Sequence, residues 1–224
     1  ALQMPALPGP LPVTYEFLRG LLGPLGRHLL ASAARVFASI VLAGLIAIPG
    51  GLLLGQSRLA DRLLSPLVYL LHPIPKVVFL PIVLVLLGVG DLAKIVLIAL
   101  VLVFQILVVV RDAAANLPKA LVDSVRSLGA SHVALLRFVY LPACLPSVLT
   151  GLRLGASTAV AVLFFAESFA TRAGLGYYIF VESWGRLAYT EMYAGVLAMS
   201  LLGLLLYSLF ELLERRLCPY LYLH

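Results

Sequence analysis

Charge is scarce in this chain. Lys, Arg, Asp and Glu together make only 12% of its 224 residues, against 62% hydrophobic residues and a mean hydropathy of +1.09. A soluble domain of this length cannot hide so much apolar surface, so a lipid bilayer is the expected solvent. Cysteine is scarcer still. Cys144 and Cys218 are the only two, they have no metal-ligand spacing, and no disulfide between them is expected if both lie at a reducing cytoplasmic face. The nucleotide-binding pattern G-x-x-x-x-G-K-[ST] is missing, as are H-E-x-x-H and G-x-S-x-G. ATP hydrolysis and the common hydrolase chemistries therefore have no local signature. No basic stretch followed by an apolar run opens the chain, so no cleavable signal peptide is expected. Whether a further helix precedes Ala1 is left open.

What is present is a series of long apolar runs that do not alternate, which argues for helices and against a membrane barrel. Each run needs roughly 20 residues to cross. Five are expected, at about 29–55, 67–87, 92–110, 143–167 and 191–213. The expected organisation is an irregular or interfacial lead-in over 1–28, a transmembrane domain over 29–216 and a tail over 217–224. Pro73, Pro75 and Pro81 interrupt the second span, and Gly88-Val89-Gly90-Asp91 reads as a tight turn with Asp91 a turn residue. Small residues recur every fourth position in the first span (Ser39, Ala43, Ala47, Gly51, Gly55) and in the fourth (Ser147, Gly151, Gly155, Ala159). Such stripes let helix backbones approach closely in lipid. There is no internal repeat and no low-complexity segment.

The net charge of +6 does not imply nucleic acid, because the basic residues are scattered. Parity places Arg58, Arg62, Arg111, Lys119, Arg126, Arg137, Arg215 and Arg216 on one side. Arg19, Arg27, Lys94, Arg172 and Arg186 fall on the other. An excess of cations marks the cytoplasmic side, so the expected topology has the N-terminus outside and the C-terminus inside.

The longest polar interruption covers 111–142. It reads as two short amphipathic helices around Gly129. Asn116 and Pro118 open the first, with Leu117, Leu121, Val125 and Leu128 on one stripe and Lys119, Asp123 and Arg126 on the other face. Gly129 is suited to a left-handed cap. Ser131 caps the second, which carries Val133, Leu136 and Tyr140 and is expected to stop at Pro142. Such a segment is a knob for a partner's groove, or an interfacial helix lying on headgroups.

Other polar residues sit at membrane depth. Lys76, Arg153 and Ser157 are candidates for a translocation pathway, because ionisable groups at that depth usually face a bundle interior or water. Structural pairing is the competing reading for Arg153, and snorkelling from a Pro-rich segment at headgroup level is the competing reading for Lys76. Glu167, at the end of the fourth span, is a further pathway candidate that also suits a structural pair with Lys94, Arg172 or Arg186. Phe169, Tyr177, Tyr178, Phe180, Trp184, Tyr189 and Tyr193 suggest an aromatic belt at the outer interface. Gly174, Gly176 and Tyr177 suggest a re-entrant turn and an external gate. His72 and His132 have no partner spacing, and no metal site is expected.

The residues Asp123-Ser124-Val125, then Gly129, then Val139-Tyr140-Leu141-Pro142 follow the spacing D-S-V-x3-G-x9-V-x-L-P. This resembles the E-A-A-x3-G-x9-I-x-L-P loop of permease subunits in bacterial binding-protein-dependent ABC importers. Pro73-Ile74-Pro75-Lys76, Gly88-Val89-Gly90, Gly151-Leu152-Arg153, Ala166-Glu167 and Gly174-Leu175-Gly176-Tyr177 resemble further segments of the nitrate, sulfonate and taurine importer permeases, in order along about 30–216. The resemblance implies an all-α membrane fold in the type I importer arrangement, within the bacterial inner membrane. It implies a coupling surface at Lys119, Asp123, Ser124, Val125, Arg126, Gly129, Ala130, Leu141 and Pro142. It also implies partners: cytoplasmic ATPases that use ATP and Mg, a second permease subunit (a homodimer), and an external solute-binding protein. The chain itself would hold no cofactor and be no enzyme. Its solute would be a small anion such as nitrate, a sulfonate, taurine or bicarbonate. The alternatives are a secondary transporter, for which inverted repeats are missing, and an intramembrane enzyme, for which no carboxylate pair lies within the spans.

Overall fold

The computed structural model describes residues 6–169 and 171–221. It is helical throughout, with no strand among the described residues. Among the described residues four helices are long and apolar enough to cross a membrane: α2 (Pro24–Gln56), α5 (Asp91–Ala115), α8 (Leu141–Ser168, within a continuous run from His132) and α10 (Tyr189–Leu217). A broken pair, Arg58–Leu71 with Lys76–Leu87, makes a fifth when counted as one span. The remaining helices are α1 (Pro10–Leu21), α3 (Arg58–Leu71), α4 (Leu80–Leu87), α6 (Lys119–Ser127), α7 (His132–Leu135) and the single turn α9 (Leu175–Tyr177).

The second span departs most from expectation. Pro73 and Pro75 lack amide hydrogens and push the residues before them out of the helical region. The chain therefore leaves α3 at Leu71 and resumes as a 3-10 turn, Lys76–Phe79. Pro81 is then harmless in the first turn of α4. The lead-in also differs from an irregular segment, because residues 10–21 form a helix with Pro10 at its start. The first span begins at Pro24, so a boundary at residue 28 falls inside α2.

The chain divides into two compact units. One comprises Ala1–Ile40, Lys76–Ala99 and Ala156–Leu206; the other comprises Val41–Pro75, Leu100–Gly155 and Tyr207–His224. In the second unit α2 lies directly on α5. A Cβ on Gly51 would come within 2.8 Å of the Leu107 carbonyl oxygen, and one on Gly55 within 2.7 Å of that of Arg111. With Ala43 and Ala47 at 0% exposure, the small-residue stripe is the packing seam that its spacing suggested. In the first unit the core gathers Leu25, Val36, Leu97, Leu163 and Leu175, all at 0% exposure. It also holds charged groups at the same depth, which organise the site described below.

Candidate coupling loop and charged clamp

The polar loop belongs to the second unit. Helix α6 runs from Lys119 to Ser127, and Gly129 follows with φ +82°, the left-handed geometry that ends a helix at little cost to glycine. Ser131 then caps α7, its Oγ accepting from the Ala134 amide at 3.2 Å. The start of α6 is built differently from the sequence reading. Asn116 does not cap it; its side-chain amide donates back to the Asp112 carbonyl at 2.8 Å, and Pro118 stands at the cap without a side-chain bond.

The apolar stripes are also displaced. Val122, Leu135 and Val139 form a small core, joined by Val125, Ala130 and Tyr140. Leu121, Leu128 and Val133 remain 45%, 86% and 72% exposed. The hinge turns the two short helices against each other, so the buried residues are set by that contact rather than by either helix's own stripe.

Pro142 does not end the second helix. Residues Leu136–Tyr140 widen into a π-turn and α8 continues from Leu141 without a break. In the widened turn the Leu141 amide donates to the Leu136 carbonyl, and Pro142, which has no amide to place, follows directly. Leu141 and Pro142 thus form the rigid root of the loop in α8, rather than its end.

Beneath α6 lies a cavity of about 530 Å³ lined by residues that include Arg58, Asp61, Lys119, Asp123, Arg126 and Tyr140. Its wall is held by an ion pair the sequence reading missed. Arg111, near the end of α5, grips Asp61 of α3 through Nε and Nη2, both at 2.8 Å. Ser65 also donates to Asp61, and Arg111 Nη1 reaches Asp112 at 2.7 Å. Ser124 turns its hydroxyl back to the Ala120 carbonyl at 2.6 Å. Elsewhere in this unit Arg153 meets Glu214 at 3.0 Å and lies over the Tyr207 ring at 5.5 Å. Glu214 Oε2 and Arg153 Nε have no hydrogen-bond partner among the described residues.

The first unit contains a buried clamp. Glu167 is fully buried. Its Oε1 accepts from Arg35 Nη1 at 2.6 Å, and its Oε2 accepts from Ser32 Oγ at 2.7 Å and the Gly176 amide at 3.1 Å. Arg35 continues to the Ala173 carbonyl at 2.7 Å and to Asp91 Oδ1, from Nε at 2.8 Å and Nη2 at 2.6 Å. Lys94, Arg172 and Arg186, the partners anticipated for Glu167, make no hydrogen bond or ion pair with it among the described residues. Arg186 pairs with Glu191 at 2.9 Å. Asp91 is not merely a turn residue either: it opens α5 and receives Arg35. Arg35 was legible in principle as an arginine inside an apolar run, which needs a partner.

The segment after α8 wraps this carboxylate. Gly174 adopts φ +124°, and a Cβ there would overlap the Glu167 carboxylate, while one on Gly176 would come within 2.6 Å of the Phe164 carbonyl oxygen. The Leu175 amide donates to Ser32 Oγ at 2.7 Å, and the Gly174 amide to His28 Nδ1 at 3.0 Å. His28 Nε2 stands 3.3 Å from Glu182. Its ring lies 6.0 Å from that of Tyr177 and 5.4 Å from that of Tyr178. Burial, with help from the Glu191 charge, pushes the Tyr178 phenol up to about 12. The aromatic group is therefore not one belt. Tyr178 is 4% exposed, whereas Trp184 is 48% exposed beside Phe180, their rings 4.8 Å apart. Lys76 is 7% exposed where the broken span resumes, and Ser157 is exposed on α8.

Residues 28–218 match the family described as the binding-protein-dependent transport system inner membrane component. The chain belongs to this family. It is 33% identical over 197 residues to the taurine transport system permease protein TauC of Escherichia coli, covering 88% of this chain and 71% of that protein. A probable ABC transporter permease of Brucella melitensis is 32% identical over 94% of this chain and 86% of its own length. The putative aliphatic sulfonates transport permease SsuC of E. coli is 30% identical over 69% of this chain and 59% of its own length. Among solved structures, a chain of the MetNI methionine ABC transporter in inward-facing form superposes with a TM-score of 0.74 at 23% identity. It covers 92% of this chain and 98% of that one. The superposition establishes the type I importer permease fold. The family and the apolar helices establish a multi-pass inner-membrane protein and a transport component.

Proposed function

We propose that this chain forms the translocation pathway of an ATP-driven importer for a small anionic solute of the sulfonate or taurine class. In this reading α6, Gly129 and α7 dock into a cytoplasmic ATPase, with Lys119, Asp123, Arg126 and Ala130 nearest the contact. The N-terminus lies outside and the C-terminus inside. A second copy of the chain completes the pathway, and an external binding protein delivers the solute. Mg and ATP belong to the ATPase. The observation that carries the coupling role is the capped helix–Gly129–helix of the loop, which leaves Leu121, Leu128 and Val133 uncovered at its surface. Apolar residues displayed on a short, internally braced helical pair suit a partner's groove.

Within the pathway Lys76 and Ser157 face the solute. Arg153 and Glu167 act by fixing helices, because each meets an opposite charge in the fold. Gly174, Gly176 and Tyr177 form the external constriction. The solute class is supported by the taurine and sulfonate relatives. Cysteine placed at position 123 or 126 is expected to cross-link to an ATPase chain in membranes. Capture of lipid alone, or of the external protein, removes the coupling role.

A further inference from the structure

Beside the buried clamp, still within the first unit, is an open pocket of about 730 Å³ lined by Arg35, Asp91, Lys94, Thr171, Arg172 and, among others, Val89. Its charges do not balance. Arg35 is answered by Glu167 and Asp91 at hydrogen-bond distance. Lys94 is 1% exposed, yet among the described residues its ammonium has one hydrogen-bond acceptor, the Gly90 carbonyl at 3.2 Å. An ammonium carries three donors, so a group nine-tenths buried is left with donors unused at the pocket wall. Arg172 is exposed at the same wall and has no ion pair or hydrogen bond among the described residues. Three cations against two carboxylates leave one positive charge at the pocket wall, beside a buried ammonium whose unused donors are costly.

We propose that this pocket binds one singly charged oxoanion, a sulfonate or carboxylate. Lys94 supplies the buried charge-assisted bond and Arg172 closes over the second oxygen, while the Thr171 hydroxyl braces the wall by donating to the Ala173 carbonyl at 3.0 Å. Guanidinium and ammonium donors on one wall match the acceptors of such a group, and the charged bonds are the strong ones. Neither the clamp nor the coupling loop requires this site. The identity of the soluble anion rests on the importer reading; the existence of the site rests on the pocket alone. The same oxoanion chemistry is offered by a lipid phosphate.

The test uses the full chain in nanodiscs of zwitterionic phosphatidylcholine. Methanesulfonate is titrated against dimethyl sulfone, a neutral molecule of nearly the same shape, with heat of binding as the readout. Saturable binding of methanesulfonate alone is expected. Lys94→Met is expected to abolish it, and Arg172→Ser to weaken it about tenfold, the loss typical of one charge-assisted bond. Because Arg172 makes no ion pair or hydrogen bond among the described residues, its variant decides the matter even where Lys94→Met does not fold. Equal binding of the sulfone, or unchanged affinity in Arg172→Ser, overturns the site. Repeating the titration with phosphatidylglycerol separates the two sources: competition assigns the oxoanion to a headgroup, and its absence assigns it to a soluble anion. Co-purification of the ATPase with the parent chain is read in parallel. Its absence counts against the importer reading, whereas its presence without methanesulfonate binding to the parent chain counts against the site alone.

Discussion

The two charged regions of this molecule are organised in opposite ways. Around Glu167 every oxygen is answered: two side chains and a backbone amide reach the carboxylate, and glycines make room for the wrap. On the coupling loop Lys119, Asp123 and Arg126 border an open cavity, and the braced part is a small apolar core behind them. The difference follows from solvent. A carboxylate far from water must find its hydrogen bonds in the protein, and that demand fixes the surrounding backbone. Charges in contact with water keep their solvation, so the fold does not need them and they are free to serve a partner.

This contrast is open to direct attack. The largest effect is expected from Glu167→Ala, which strands Arg35. Removing one member of a buried pair typically costs about 3–5 kcal/mol, so the variant should fail to accumulate or should melt far below the parent in detergent. Normal accumulation with an unchanged melting curve would show that the clamp is dispensable. Next comes Gly55→Val, which drives side-chain atoms into the Arg111 carbonyl and should destabilise by about 1–3 kcal/mol, the usual range for overpacking. Arg153→Ala removes a partly exposed ion pair and a ring contact, so a smaller loss of about 1 kcal/mol is expected. A drop in uptake beyond that loss would place Arg153 in the pathway instead. Gly129→Val should leave membrane insertion intact and cost about 1 kcal/mol of loop geometry, while uptake falls severely. Arg126→Ala should be smallest in stability, within about 0.5 kcal/mol, and should act only on ATPase capture. If it destabilised as Glu167→Ala does, the contrast between the regions would be wrong.

Much of the fold was legible because lipid imposes long, unmistakable apolar runs. The small-residue seam of α2 was legible because helical spacing aligns residues four apart on one face, and that seam is where α5 lies. Gly129 and Ser131 were legible because left-handed caps and hydroxyl caps have few chemical solutions. The α6 stripe was misread because two short helices choose their buried faces by their contact with each other.

By itself, then, the sequence determined an all-helical membrane chain, the number of its apolar runs and the site of its hinge, since these depend on local chemistry and on the solvent. Only the tertiary structure decided which charge answers which. Arg35 and Glu167 are 132 residues apart, and Asp61 and Arg111 are 50 apart. No local rule selects such partners among several cations of equal charge. Helix packing selects them, by bringing one pair within hydrogen-bond reach and holding the other candidates away.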